Sequence, residues 1–208
     1  MSMTSPHDYL RRPDEIYRRS FALIRAEAKL DHLPADIAGV AVRLIHACGM
    51  TDIVADLAFD PAVAMAARAA LGAGAAICCD ARMVAAGVML ARLPARNEIV
   101  CTIDEARAEG STRSSAAVDL WGERLAGAVV AIGNAPTALY RLLEVIEAGG
   151  PRPAAIFAFP VGFVGAAESK AALVEARTGV PYLTLLGRRG GSALAAAALN
   201  ALVVAEGE

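Results

Sequence analysis

Apolar residues recur with a helical period along the first third of the chain. Between Pro34 and Gly49 they fall at Ile37, Val40, Ala41, Leu44, Ile45 and Cys48, the spacing that turns one helix face toward a core. Gly49 follows as a C-cap, because glycine takes the left-handed conformation without a Cβ penalty. Upstream, Pro13, Asp14 and Glu15 are the residues of a first helical turn. Ile16, Tyr17, Phe21, Leu23, Ile24 and Ala28 make the apolar face of the helix they open. Thr51–Asp52 and Asp60–Pro61 read as two more helix starts.

After Gly72, Ala73 and Gly74 the pattern changes. Five short, nearly unbroken apolar runs, at 75–79, 98–101, 128–132, 154–159 and 182–186, alternate with helical stretches near 82–90, 114–125, 136–148, 167–177 and 192–204. Unbroken runs are what parallel strands covered on both faces require. The alternation predicts an α/β fold: an open, doubly wound, mostly parallel five-stranded sheet with helices on both faces and an N-terminal helical extension. One domain spans 1–208, with 1–72 mainly helical and 73–208 doubly wound.

Composition narrows the function. A chain of 208 residues buries about 70% of its unfolded surface and needs no disulfide or metal to hold a core. The net charge of −2 gives no bulk attraction for nucleic acid or an anionic membrane. The first ten residues lack the apolar run of a signal peptide. The longest uncharged runs, 125–140 and 190–205, are interrupted and shorter than the ~18–20 residues of a membrane span, so a cytoplasmic protein is expected. Cys48, Cys78, Cys79 and Cys101 have no metal-ligand spacing and read as reduced thiols. Cys78 and Cys79 are adjacent on a strand and so point to opposite faces.

Candidate chemistry gathers in two places. His46 sits in the last turn of its helix, beside the apolar face, with Arg43 one turn earlier. Carbonyls at a helix C-terminus favour an imidazolium, and a histidine there can exchange a proton near neutral pH; a locally bonded, space-filling histidine is the plainer alternative. Ser20 lies within the apolar face of the first helix, where its hydroxyl either bonds back to the carbonyl four residues earlier or faces a cleft. The second place is the carboxyl edge of the sheet, where ligands of open α/β folds bind. It carries Asp80, the turn at 133–137, the turn at 160–165 and Gly187–Arg188–Arg189–Gly190–Gly191–Ser192. Three such turns are glycine-bearing and run into helix N-termini suited to anions. Arg113, in the GSTRS stretch at 110–114, adds positive charge at another. Lys170 reads as a residue of a solvated helix face. There is no phosphate loop, no nucleophile elbow and no complete dinucleotide fingerprint. The profile fits a cofactor-free isomerase or lyase acting on an acidic small molecule, or a non-catalytic binder.

Several segments together resemble the precorrin-8X methylmutase (precorrin isomerase) family of cobalamin biosynthesis: IYRRSFALIRAE at 16–27, VRLIHACG at 42–49, CDARMV at 79–84, AIGNAPTAL at 131–139, PVGFVGAAESK at 160–170 and GGS at 190–192. The resemblance implies a flavodoxin-like fold, a homodimer with its sites near the subunit interface, and a reaction without cofactor or metal. In that reaction a methyl group moves between adjacent carbons of pyrrole ring C of the tetrapyrrole precorrin-8X, giving hydrogenobyrinic acid. It further implies His46 as the catalytic proton donor and Ser20, Arg43 and Arg113 as substrate-binding residues. Two other readings stay open: a carrier that binds hydrogenobyrinic acid without turnover, and the same methyl shift on cobalt-precorrin-8. A flavin or nucleotide binder, suggested only by the fold, is disfavoured by the missing phosphate motifs. Relatives can carry a polar residue where this chain has Ala85 and Ala86.

Overall fold

The computed structural model describes His7 and residues 9–204, so most of the first ten residues read above lie outside it. The chain runs through α1 (Pro13–Glu27), α2 (Ala35–Cys48), β1 (Leu57–Phe59), α3 (Val63–Gly72), β2 (Ile77–Cys79), α4 (Arg82–Gly87), β3 (Ile99–Val100), α5 (Arg113–Asp119), β4 (Val129–Ile132), α6 (Pro136–Glu147), β5 (Ala155–Ala158), α7 (Ala166–Glu175), β6 (Tyr182–Leu185) and α8 (Ser192–Val203). Among the described residues no helix is long and apolar enough to cross a membrane.

The sheet has six strands in the order β1-β6-β5-β4-β2-β3, not five. The strand absent from the sequence reading is β1, which pairs antiparallel with β6, Leu57 opposite Leu185 and Phe59 opposite Leu183. The other pairings are parallel. Three residues are too few to display a period of two, so β1 is made by its neighbour rather than by its own pattern. Backbone bonds from Leu186 to the Asp56 carbonyl and from Asp60 to the Tyr182 carbonyl close both of its ends. The sheet therefore draws its antiparallel edge from residues before Gly72. Asp60 then starts α3 as expected, its carboxylate accepting from the amide of Ala62 at 2.8 Å.

Two apolar layers cover the two faces. Ile77, Cys79, Val129, Ala131, Phe157 and Leu183 face a core shared with α1, α2, α3, α4 and α8. Cys78, Val130, Ile132, Ile156 and Ala158 face the other, closed by Trp121, Leu125 and the apolar sides of α6 and α7. Cys78 and Cys79 thus enter opposite cores, and burial pushes the Cys78 thiol up to about 12. On the first face, α2 presents Ile37, Val40, Ala41, Leu44 and Ile45, all buried, and ends at Gly49 with φ +71°. Alanines make the facing side of α8, which lets the two helices approach closely.

Candidate active site

Helix α1 packs across the end of α2 and places Tyr17, Ser20 and Phe21, spaced i, i+3 and i+4, around His46. The Ser20 hydroxyl lies 2.8 Å from His46 Nδ1. Ser20 therefore faces the cleft; its hydroxyl is used across helices rather than on its own backbone. The Tyr17 ring stacks on the imidazole at 5.3 Å and 28°, and Phe21 meets it edge-on at 5.4 Å and 85°. With one nitrogen bonded and two rings against it, the imidazole has one orientation while staying exposed to solvent. Arg43, one turn earlier on α2, lies with its guanidinium 5.3 Å from the Phe21 ring centre. Burial holds Arg43 below the ordinary arginine range, Tyr17 partly offsets this, and the nearby positive charge of Arg92 adds to it.

These groups wall a cavity of about 280 Å³. Its opposite wall is α8, which contributes Ala193, Ala196, Ala197 and Asn200; Gly87 and Met89 close one side. Asn200 pins that side. Its Oδ1 accepts from the Met89 amide and its Nδ2 donates to the Gly87 carbonyl, both at 2.9 Å. Gly87 has to be glycine, because a Cβ there would sit 2.6 Å from that of Ala196. Ala85 packs on the core and Ala86 is exposed, and neither lines the cavity.

The carboxyl edge of the sheet differs from the sequence expectation. Asp80, fully buried at the end of β2, accepts hydrogen bonds from the amides of Gly133, Asn134 and Ala135 at 2.9, 3.0 and 2.8 Å. The anion at the start of α6 is thus the chain's own carboxylate. Burial raises the Asp80 pKa, and the three amides oppose that rise. Arg189 is likewise committed, to Asp52 at 2.7 Å and Asp56 at 2.6 Å. Arg188 lies over the exposed ring of Phe163. Lys170 is fully buried, not solvated, and donates to the Arg189 carbonyl at 2.6 Å; burial lowers its pKa to about 8, against the pull of Asp56. Arg113 opens α5, exposed, outside the cavity that holds His46. The structure therefore unites Ser20, Arg43 and His46 and leaves Arg113 apart. No group of three or more histidine, cysteine or acidic side chains among the described residues is placed to hold a metal.

The family model of precorrin-8X methylmutase matches residues 15–205. The chain belongs to this family. It is 60% identical to the precorrin-8X methylmutase of Pseudomonas aeruginosa, over 94% of this chain and 97% of that one. It is 56% identical to the Sinorhizobium sp precorrin-8X methylmutase, over 94% and 96% of the two chains, and 33% identical to the cobalt-precorrin-8 methylmutase of Priestia megaterium, over 92% and 88%. Among solved structures, the precorrin-8x methyl mutase of Thermus thermophilus superposes with a TM-score of 0.81 at 40% identity, covering 90% of this chain and 95% of that one. The family is one of isomerases in cobalamin biosynthesis. Tyr17 and Phe21, which touch His46, and Asn200, which lines its cavity, were not singled out as candidates from the sequence. Tyr17 stands three residues before Ser20 and four before Phe21, a helical spacing that was a usable signal. Asn200 carried none, because its partners lie 111 and 113 residues away.

Proposed function

We propose that this chain isomerises precorrin-8X to hydrogenobyrinic acid, moving a methyl group between adjacent carbons of pyrrole ring C, with His46 as the proton donor. The observation that carries the reading is 60% identity to a precorrin-8X methylmutase along nearly the whole of both chains. The same identities favour the metal-free substrate, since the cobalt-precorrin-8 relative quoted above shares 33%.

The chemistry asks little of the protein and all of it is positional. One carbon–carbon bond breaks as its neighbour forms, the methyl carries its electron pair within the conjugated system, and composition is unchanged. An imidazolium N–H directed at a ring nitrogen draws electron density through the macrocycle as the methyl moves. Ser20 holds Nδ1 at 2.8 Å, which leaves Nε2 as the nitrogen to meet the ligand. Tyr17 and Phe21 fix the ring plane, so no reorientation is needed at the moment of reaction. Arg43 supplies positive charge for a rim carboxylate, and Arg113 acts as a further substrate contact.

The fold is flavodoxin-like in this reading, because the five parallel strands, numbered among themselves, lie in the order 2-1-3-4-5. The protein is a homodimer. Ile16, Tyr17 and Leu23 of α1 and Met83, Met89 and Leu90 beside the cavity are exposed apolar side chains, a surface suited to a second copy that completes the site.

Incubation of the purified protein with precorrin-8X tests the function. The expected result is a product of unchanged mass and altered absorbance, formed over many turnovers, and its loss in His46→Ala. Tight stoichiometric binding of hydrogenobyrinic acid with no turnover by the unaltered protein would establish the carrier reading instead.

A further inference from the structure

The cavity beside His46 is smaller than the ligand proposed for it. Its volume of about 280 Å³ falls below the roughly 300–1,000 Å³ that encloses a drug-sized molecule, and a tetrapyrrole with its rim of carboxylates is larger than that. A second cavity, of about 250 Å³, lies beyond Arg43, between α1, α2, α3 and the last turn of α8. Arg43 belongs to the walls of both. The two follow α8 from Ala193 to Val204, a track of roughly 16 Å at 1.5 Å per residue.

The second cavity is cationic. Arg25 from α1, Arg43 from α2 and Arg68 from α3 enter its wall, and among the described residues no acidic side chain does. Arg25 and Arg68 pair with no carboxylate among the described residues, unlike Arg189 with its two or Arg141, held by Asp119 and Glu144. The positive charges of Arg25 and Arg68, unmatched by a carboxylate among the described residues, make the hollow attractive to an anion. Their planar forks suit carboxylates, which they grip with two parallel hydrogen bonds. The carbonyl end of α8 lies in the same wall and would by itself turn an anion away, so the arginines decide what the cavity accepts.

We infer that Arg25 and Arg68, with Arg43 between the two cavities, form a carboxylate subsite that grips peripheral acid groups of the tetrapyrrole whose ring lies against His46. This inference rests on the function proposed above. It places recognition of the acid rim on the α1–α3 side of the groove, away from the strand ends.

The test compares hydrogenobyrinic acid with its fully esterified derivative, whose rim is uncharged, binding to the unaltered protein, Arg25→Gln, Arg68→Gln and the double variant. Arg177→Gln, beyond the C-terminus of α7 and outside both cavities, controls for charge alone. The expected result is a loss of about fivefold in affinity for the acid in each single variant, larger in the double, weakening at high salt. Affinity for the ester stays the same in all five proteins. Equal losses for acid and ester, or none in either variant, would overturn the inference while leaving the proposed function standing. Lowered melting temperatures with unchanged binding would do the same, and would make the arginines caps of α8. No binding of the acid by the unaltered protein would overturn both.

Discussion

Two crevices of this molecule carry the same kinds of groups and use them in opposite ways. One is the switch point at the carboxyl ends of β2 and β4, where the strand order reverses and where open α/β sheets hold their ligands. The other is the groove between α2 and α8. Along this carboxyl edge charged groups are matched from within: Asp80 accepts from three amides at the switch point, and toward β6 Lys170 donates to a carbonyl and Arg189 pairs with two carboxylates. In the groove, His46 is held on one nitrogen only, and Arg25 and Arg68 face a hollow without acidic partners among the described residues. A fold's usual ligand crevice can thus be filled by its own side chains, and the function proposed here places the chemistry on a helix face instead. Matched groups stabilise and orient; unmatched ones wait for a ligand.

The largest expected effect belongs to the groove. His46→Ala should slow conversion by about 10³-fold, within the range for loss of a general acid, while hydrogenobyrinic acid still binds. Stopped-time absorbance assays beside equilibrium binding separate the two, and an unchanged rate would remove His46 from the chemistry.

Next is the switch point. Asp80→Ala takes the acceptor from three amides, that of Gly133 buried, which should cost on the order of 3 kcal/mol of stability and show as a lower urea midpoint. Should that variant unfold normally yet lose its ligand, the switch point rather than the groove would be where the ligand sits. Ser20→Ala should lower kcat by about fivefold with KM nearly constant, the worth of one hydrogen bond of about 1 kcal/mol. A change confined to KM would make Ser20 a substrate contact rather than a support for the imidazole.

Lys170 gives a pH signature. Its pKa is lowered from 10.5 to about 8 in the folded chain, so between these values the unfolded chain binds more protons and stability gains as pH rises. Below about 8 both forms are protonated and this group adds no slope. Urea midpoints of the unaltered protein minus those of Lys170→Met should therefore climb across that window; a flat difference would mean that the amine is solvated. The smallest effect is expected for Arg189→Gln. It removes two partly exposed ion pairs and should cost no more than about 1 kcal/mol, less in high salt.

Much of the fold was legible in the sequence because it rests on local regularities. The face of α2, its cap at Gly49, the proline start of α1 and the continuous apolar runs of β4 and β5 each follow from spacing within one segment. Strand β1 was not legible, since three residues hold no pattern and only β6 makes them a strand. Lys170 was misread for a related reason. A lysine on a helix with weak amphipathic contrast looks solvated until the β6–α8 turn folds over it. Of the candidate site, the sequence singled out His46, Ser20 and Arg43, which the fold brings together, whereas the aromatic bracket of Tyr17 and Phe21 was taken for core.

By itself the sequence determined the α/β class, the family, and a histidine set at the end of an amphipathic helix, because each is written in residue types at short, fixed spacings. Only the tertiary structure decided which charges meet. Asp80 and the amides of Gly133 to Ala135 lie more than fifty residues apart in the chain, as do Lys170 and its neighbour Asp56. No spacing rule connects such pairs, so which charges are matched within the chain is settled by how the helices pack on the sheet.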